Sequence, residues 1–228
     1  MPRKPRVFIE GGIYHVYCRA SRGEAVFADE AEAAAFIDVL KRVKDRDGLV
    51  LFAWALMSNH YHLAVRTAEV PLWRSMASIQ GLTTKGFNRR RSLYGPLWQG
   101  RYKARIVEDE GYLHQLLAYI HLNPVSAGLV EDPAEYRWSG HREVIGREGL
   151  GLVDVDEVLM MFADNRRAAR RSYVKSLNAT GASVWVGEVP GKLPWWRERQ
   201  DEPVKPREGG VYVDYLGRST APERPRLA

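Results

Sequence analysis

The chain has 228 residues, 45% of them hydrophobic, a formal charge of +6 and a pI of about 9.5. That is enough for one well-cored domain with an extension or for two small domains, and the basic balance suits a polyanionic partner without requiring one. Cys18 is the only cysteine, which excludes an internal disulfide and a cysteine-based zinc centre; no long apolar run follows the basic start at Arg3, Lys4 and Arg6, so neither a signal peptide nor a membrane span is expected, and a cytoplasmic setting is.

The first predicted element is a strand over Ile13–Arg19, which alternates and is rich in β-formers. Residues 29–44 read as a helix, with Asp29 as N-cap, Glu32 closing a capping box, and Ala33, Phe36, Ile37, Leu40 and Val43 as its apolar stripe. Residues 49–57 are almost wholly apolar, the mark of a strand buried on both faces. Ser58 and Asn59 then make a turn into a partner strand over residues 60–67. A helix follows over residues 72–91, a strand over 97–108, and a helix over 109–123 that Pro124 should close.

The order β-α-β-β-α-β followed by a helix predicts an α+β fold: a ferredoxin-like antiparallel sheet with helices packed on it. Residues 1–145 are expected to form this domain. Residues 146–228 read as a helical and partly irregular extension, with one or two helices over 156–177 that carry Arg166, Arg167, Arg170 and Arg171. From Pro190 onward, Pro, Gly and charge predominate, and only Trp195-Trp196 and Val211-Tyr212-Val213 look ordered.

Two features carry chemistry. His60 and His62 sit at i and i+2 on a strand, so both imidazoles project from one face at a spacing that suits two ligands of one metal ion. Taken alone, the pair is a weak motif whose plainer reading is two surface histidines on a half-exposed strand. A third ligand is needed, and His15, His114, His121 and His141 are available in principle. On the last helix, Leu113, Leu116, Leu117 and Ile120 define the buried stripe; Tyr119 and Asn123 share a face a quarter-turn from it, with His114 and His121 on the opposite flank. If that helix packs beside the histidine strand, Tyr119 and Asn123 can face the ion together and His121 cannot. Two imidazoles and an amide oxygen leave a divalent ion its charge and open positions for a phosphate oxygen. A phenol oxygen is a competent nucleophile once deprotonated, giving a covalent phosphotyrosine whose reversal joins strands.

Between Pro71 and Arg105 there are eight Lys or Arg residues and no acid. Arg101, Lys103 and Arg105 alternate along a strand, and Tyr94, Trp98 and Tyr102 lie among them, so phosphate contact and base stacking are both available to this strip. The residues expected to contact nucleic acid are Arg3, Lys4, Arg6, Arg19, Lys85, Arg89, Arg90, Arg101, Lys103 and Arg105.

Four strings, in order and at compatible spacing, resemble the IS200-like single-tyrosine transposases, most closely those associated with repetitive extragenic palindromes: Gly12-Ile-Tyr-His-Val-Tyr-Cys-Arg19, Met57-Ser-Asn-His-Tyr-His-Leu63, Trp98-Gln-Gly-Arg-Tyr-Lys103 and Tyr119-Ile-His-Leu-Asn-Pro-Val125. The resemblance covers residues 5–141, and Tyr61 departs from the usual aliphatic residue between the histidines. It implies an HUH endonuclease fold with His60 and His62 as the metal pair, Tyr119 as the nucleophile and Asn123 as third ligand. It also implies Mg²⁺ or Mn²⁺ as cofactor and hairpin-bearing single-stranded DNA as substrate, with the protein a monomer or homodimer. Two other readings of the same residues are a non-catalytic single-stranded nucleic-acid-binding module and a metal-dependent hydrolase of small phosphoesters, the latter leaving the basic strip unexplained.

Overall fold

The computed structural model describes residues 6–185 and 211–213, with side chains from 9 to 179. Its elements are β1 (Arg6–Phe8), β2 (Ile13–Arg19), α1 (Glu30–Asp47), β3 (Val50–Leu56), β4 (His60–Arg66), α2 (Leu72–Arg91), β5 (Lys103–Ile106), α3 (Glu110–Ser126), α4 (His141–Val144), α5 (Val155–Met160), α6 (Arg166–Trp185) and β6 (Val211–Val213). Strands β2 to β5 form a four-stranded antiparallel sheet in the order β3-β4-β2-β5, and β1 pairs separately with β6. This is the ferredoxin-like order, reached because β2-α1-β3 and β4-α2-β5 are two interleaved crossovers. The double tryptophan at 195–196 lies outside the described residues.

The two sheet faces are occupied differently. On one face Tyr61 packs on Phe36 of α1 and edge-on to Trp98, with ring centroids 5.1 and 5.5 Å away, and Val16 and Leu63 are fully buried beside it. Alternation along β4 therefore sends His60 and His62 to the other face, where α3 lies against β3 and β4. The apolar run of β3 is buried on both sides, as its composition predicts.

Local chemistry sets the ends of the helices. Asp29 caps α1, its carboxylate accepting from the backbone N–H groups of Ala31 and Glu32 at 2.8 and 3.3 Å. At the other end Gly48 takes the left-handed conformation, φ 66°, that a Schellman-type stop requires. Glu32 does not complete the expected capping box. Its buried carboxylate accepts instead from Arg90 and Arg91, because two guanidinium groups outcompete one backbone N–H for a carboxylate out of water.

Two further expectations are corrected. Pro124 does not close α3, which runs on to Ser126. A proline two residues from a helix end forfeits a single backbone bond, and the last turn is completed by Ala127 N–H to Asn123 O and Leu129 N–H to Pro124 O, both 3.0 Å. The strand expected over 97–108 is interrupted: Trp98 bridges Ala20 at the end of β2, and regular pairing resumes only over Lys103–Ile106, with the side chains of Trp98 and Tyr102 buried in the core.

The segment after α3 closes the outer edge of β3. Leu56 donates to Trp138 O and Gly140 to Trp54 O, each at 2.9 Å, while Asp154 exchanges backbone and side-chain hydrogen bonds with Leu51. An open edge strand would otherwise template pairing with another chain. Gly140 is needed there: a Cβ would stand 2.5 Å from Val153 Cγ2 and 2.9 Å from Trp54 Cδ1. Helix α6 then packs on α3, where the Tyr173 hydroxyl lies 2.7 Å from both His121 Nδ1 and His141 Nδ1. No helix among the described residues is long and apolar enough to cross a membrane.

Candidate active site

The site is assembled on the α3-facing side of β2, β4 and β5. Register places Arg19 opposite His60, Tyr17 opposite His62 and Lys103 opposite Tyr17, so alternation on three neighbouring strands aims one row of polar side chains at one cleft. The cleft has a volume of about 440 Å³ and is lined by His60, His62, Tyr119, Tyr17, Arg101 and Lys103 among others.

The two imidazoles of β4 have centroids 5.1 Å apart and ring planes nearly perpendicular. His60 is partly exposed and His62 only 6% exposed, so the pair is not a surface decoration. Each ring uses its Nδ1 internally. His60 Nδ1 lies 2.8 Å from Asn59 Oδ1, and His62 Nδ1 lies 2.9 Å from His15 Nε2. Burial holds the His60 pKa down to about 4, with the Arg19 guanidinium adding to the effect. His62 is pushed well below the ordinary value, first by burial and then by His15, His60 and Arg19. His15 falls to about 3 through burial and the charge of Arg105. All three rings are therefore neutral near pH 7, the form in which an imidazole is a ligand.

Tyr119 reaches the same cleft from the opposite layer. Helix α3 begins at Asp109, whose carboxylate accepts from Tyr112 N–H at 2.8 Å, and it buries Leu113, Leu116, Leu117 and Ile120. That burial fixes the helix rotation and leaves Tyr119 over the sheet. Its ring stands edge-on to His62 at 5.3 Å and to His15 at 5.9 Å. Burial pushes the phenol pKa up to about 12, and the side chain of Asn123, one turn later, hydrogen-bonds the phenol and partly offsets the rise. His121 lies on the other flank against Tyr173, and His114 stacks on Phe162 at 4.5 Å, so neither enters the cleft.

The donor set suits a divalent ion. With Nδ1 of both rings engaged, Nε2 is the atom each has left for a ligand. Among the described residues, no cluster of three or more His, Cys, Asp or Glu side chains could hold a metal ion. The Asn123 amide, hydrogen-bonded to the Tyr119 phenol, is an oxygen donor that could join the two imidazoles.

The basic residues divide between two faces. Arg101 and Lys103 line the cleft with Arg19. Arg105, opposite His15, hydrogen-bonds Tyr17. Lys85, Arg89 and Arg90 lie across the sheet, along a groove between α1 and α2, and Arg90 is ion-paired to Glu32. Arg3 and Lys4 lie outside the described residues, and Arg6 is the first residue of β1. Of the aromatic residues in the strip, Trp98 and Tyr102 are core residues at 8% and 5% exposure; Tyr94 alone is open to a base, at 99%.

Sequence reasoning offered His15 only as one of four possible third ligands and gave no role to Tyr17; both stand beside the histidine pair. The signal was present in the alternation of Ile13–Arg19, which puts His15, Tyr17 and Arg19 on one face. What was missing is the pairing that brings that face alongside β4.

The chain is similar to known proteins in sequence family and in fold. A family model described as IS200-like transposase matches residues 9–123, just over half of the chain. Among solved structures, a REP-associated tyrosine transposase bound to a REP hairpin is similar, with a TM-score of 0.53 and 20% identity over 68% of this chain and 90% of that one. At that identity the likeness speaks for the fold. A solved protein of Deinococcus radiodurans R1 described as a transposase is 21% identical over 52% of this chain and 95% of its own, with a TM-score of 0.38. No curated protein matches significantly.

Proposed function

The chain belongs to the IS200-like transposase family, and on that premise we propose that it is a metal-dependent single-strand DNA endonuclease and strand transferase with Tyr119 as its nucleophile. The observation that carries this reading is the seating of the Tyr119 ring against His62, at 5.3 Å, from a separate structural layer and over the cleft that holds both histidines. His60 and His62 would hold a Mg²⁺ or Mn²⁺ ion through Nε2, with the Asn123 amide oxygen as third donor. When bound, such an ion polarises a phosphate oxygen and stabilises charge building on phosphorus. Arg19, Arg101 and Lys103 place the phosphodiester by charge.

In the chemical step, Tyr119 Oη loses its proton and attacks phosphorus. The bond from phosphorus to the leaving sugar oxygen breaks, and that oxygen takes up a proton as a free hydroxyl. The phosphotyrosine retains the phosphodiester, so attack by another strand's hydroxyl rejoins DNA without ATP. With the phenol pKa raised to about 12, a free phenolate is scarce at neutral pH, so activity should depend on the cationic surroundings of the cleft. The substrate proposed is single-stranded DNA beside a hairpin, in keeping with the hairpin bound by the structural relative.

A hairpin oligonucleotide incubated with Mg²⁺ or Mn²⁺ should give a covalent protein–DNA adduct on a denaturing gel. Tyr119→Phe should bind the same DNA and form none. An adduct in that variant would remove Tyr119 as sole nucleophile, and tight binding by the wild type with no cleavage would leave a binding module on the same fold.

A further inference from the structure

Among the described residues, only two that are not glycine have positive φ: Arg22 at 56° and Ser92 at 53°. A side chain is unfavourable in that left-handed region, where glycine or asparagine is the ordinary occupant, and such residues gather where function uses them. Ser92 ends α2 and starts the exposed run 92–96, while Arg22 lies in the 3₁₀ turn Ser21–Gly23. The two are far apart in sequence but border one surface. Ser21 N–H donates to Leu97 O at 2.8 Å and Ser21 Oγ to Trp98 O at 3.3 Å, which joins the turn to the chain just after that run. On its other side the turn is tied to the histidine pair. Asn59 Nδ2 donates to Gly23 O at 3.3 Å, and Asn59 Oδ1 lies 2.8 Å from His60 Nδ1. A continuous path therefore runs from His60 past Arg22 to Leu97. Five residues of chain, about 18 Å at most, separate Tyr94 from Gln99 in the cleft wall.

The run 92–96 is clamped by Asn88. Its carbonyl accepts from Leu93 N–H at 2.9 Å, and its side-chain Nδ2 donates to Gly95 O at 2.9 Å. Between those bonds Tyr94 stands 99% exposed and Leu93 49% exposed. A ring held out in water forgoes the burial that an aromatic side chain gains in a core. Held by its loop, it is also pre-organised to meet a flat partner at low entropic cost. The charges around it favour an anion. Arg22 is exposed, as is Arg89 in the last turn of α2; Arg91 is engaged by Asp29 and Glu32, and Glu24 is the acid beside the turn.

We propose that Tyr94 and Arg22 form a nucleic-acid subsite at the His60 end of the cleft: the Tyr94 ring stacks on an unpaired base of the strand leading out of the cleft, and Arg22 holds a phosphate of the same strand. The inference rests on the reading of the cleft as a single-strand DNA site and extends it to two residues outside the cleft lining. With stacked nucleotides rising about 3.4 Å each, the base lies within about five nucleotides of the cleft. Every base has a face to stack, so the subsite adds affinity and fixes the course of the strand without reading its sequence.

Hairpin oligonucleotides carrying 2-aminopurine at one unpaired position at a time report stacking by fluorescence quenching, and the same titrations give affinity. The wild type should quench one position most strongly. Tyr94→Ala should abolish that quenching and weaken binding about 5–150-fold, whereas Tyr94→Phe keeps the ring and should keep both. Arg22→Gly should lower the slope of log affinity against log salt by about 0.7. Its urea midpoint should stay where it is or rise, because glycine suits φ 56°, so lost binding would not reflect a damaged fold. Wild-type affinity and quenching in Tyr94→Ala, or an unchanged slope in Arg22→Gly, would overturn the subsite. A wild-type protein that binds no hairpin DNA would overturn the subsite and the single-strand reading together. Tyr94-dependent quenching without a covalent adduct in Mg²⁺ or Mn²⁺ would support the subsite and strike the transferase reading alone.

Discussion

Replacing Tyr173 by Phe removes one oxygen from a site where His121, His141 and Tyr173 are 0%, 4% and 1% exposed. The phenol stays protonated, because burial pushes its pKa well above 10. A protonated hydroxyl donates once, so it gives its proton to one Nδ1 and accepts from the other. His121 Nε2 is buried with no hydrogen-bond partner among the described residues. A bare lone pair is tolerated there more readily than a stranded N–H, so the His121 proton belongs on Nδ1, donated to Tyr173, which in turn donates to His141. The substitution deletes both 2.7 Å bonds and leaves a buried His121 N–H without an acceptor. At about 1 kcal/mol net for each of the two bonds, with the stranded donor costing about 1–3 kcal/mol more, the loss is about 3–5 kcal/mol. For a chain of this size that lowers Tm by about 6–20 °C. Urea and thermal unfolding followed by circular dichroism would measure it, with Tyr94→Phe as an exposed control expected to change nothing. A Tyr173→Phe protein destabilised by less than about 0.5 kcal/mol would refute the hydrogen-bond account of how α6 holds α3.

Three other outcomes follow from the same physics. The folded pKa values of His15, His60 and His141, about 3, 4 and 4, lie below the ordinary 6.5. Above pH 6.5 neither the folded nor the unfolded chain protonates these rings and stability is full; as pH falls from 6.5 toward 4 the unfolded chain takes up protons that the fold refuses, so stability drops. The slope is up to about 1.4 kcal/mol per pH unit for each ring, and urea titrations at pH 7.0 and 5.5 that show uptake of less than one proton on unfolding would contradict it. Gly140→Ala should destabilise by about 1–3 kcal/mol through overpacking against Val153 and Trp54, read as a fall in the urea midpoint. Arg101→Ala and Lys103→Ala should each make DNA binding less salt-sensitive, reducing the slope of log affinity against log salt by about 0.7 if each cation neutralises one phosphate of a single strand; an unchanged slope would take them off the DNA path.

Much of this fold is legible in the sequence because it is written in local periodicity. The strand Ile13–Arg19 and the helix Leu72–Arg91 end at the residues that alternation, Pro71 and the basic cluster mark. The i, i+2 histidines and the i, i+4 pair of Tyr119 and Asn123 are readable for the same reason: each relation is internal to one element. What is not readable depends on partners distant in the chain. Glu32 is drawn from its capping role by Arg90 and Arg91, 58 and 59 residues away. The strip around Trp98 and Tyr102 alternates like a strand, yet its pairing with the β2 side is interrupted between the Trp98–Ala20 bridge and Lys103. The closeness of His15 to His62 is a property of sheet order, which no window along the chain contains.

Strand β4 is held by a neighbour on each side, β3 and β2. A slip of one residue in its register would exchange the two faces, swinging both imidazoles in among Phe36 and Trp98 and presenting Tyr61 and Leu63 to the cleft, and it would have to rupture two ladders at once. The histidine row therefore resists errors of threading as the chain folds, whereas a single residue inserted within β4 would shift one part of that row against the ladders on both sides. Point substitutions along this row are the changes the architecture accommodates; insertions and deletions are the ones it does not.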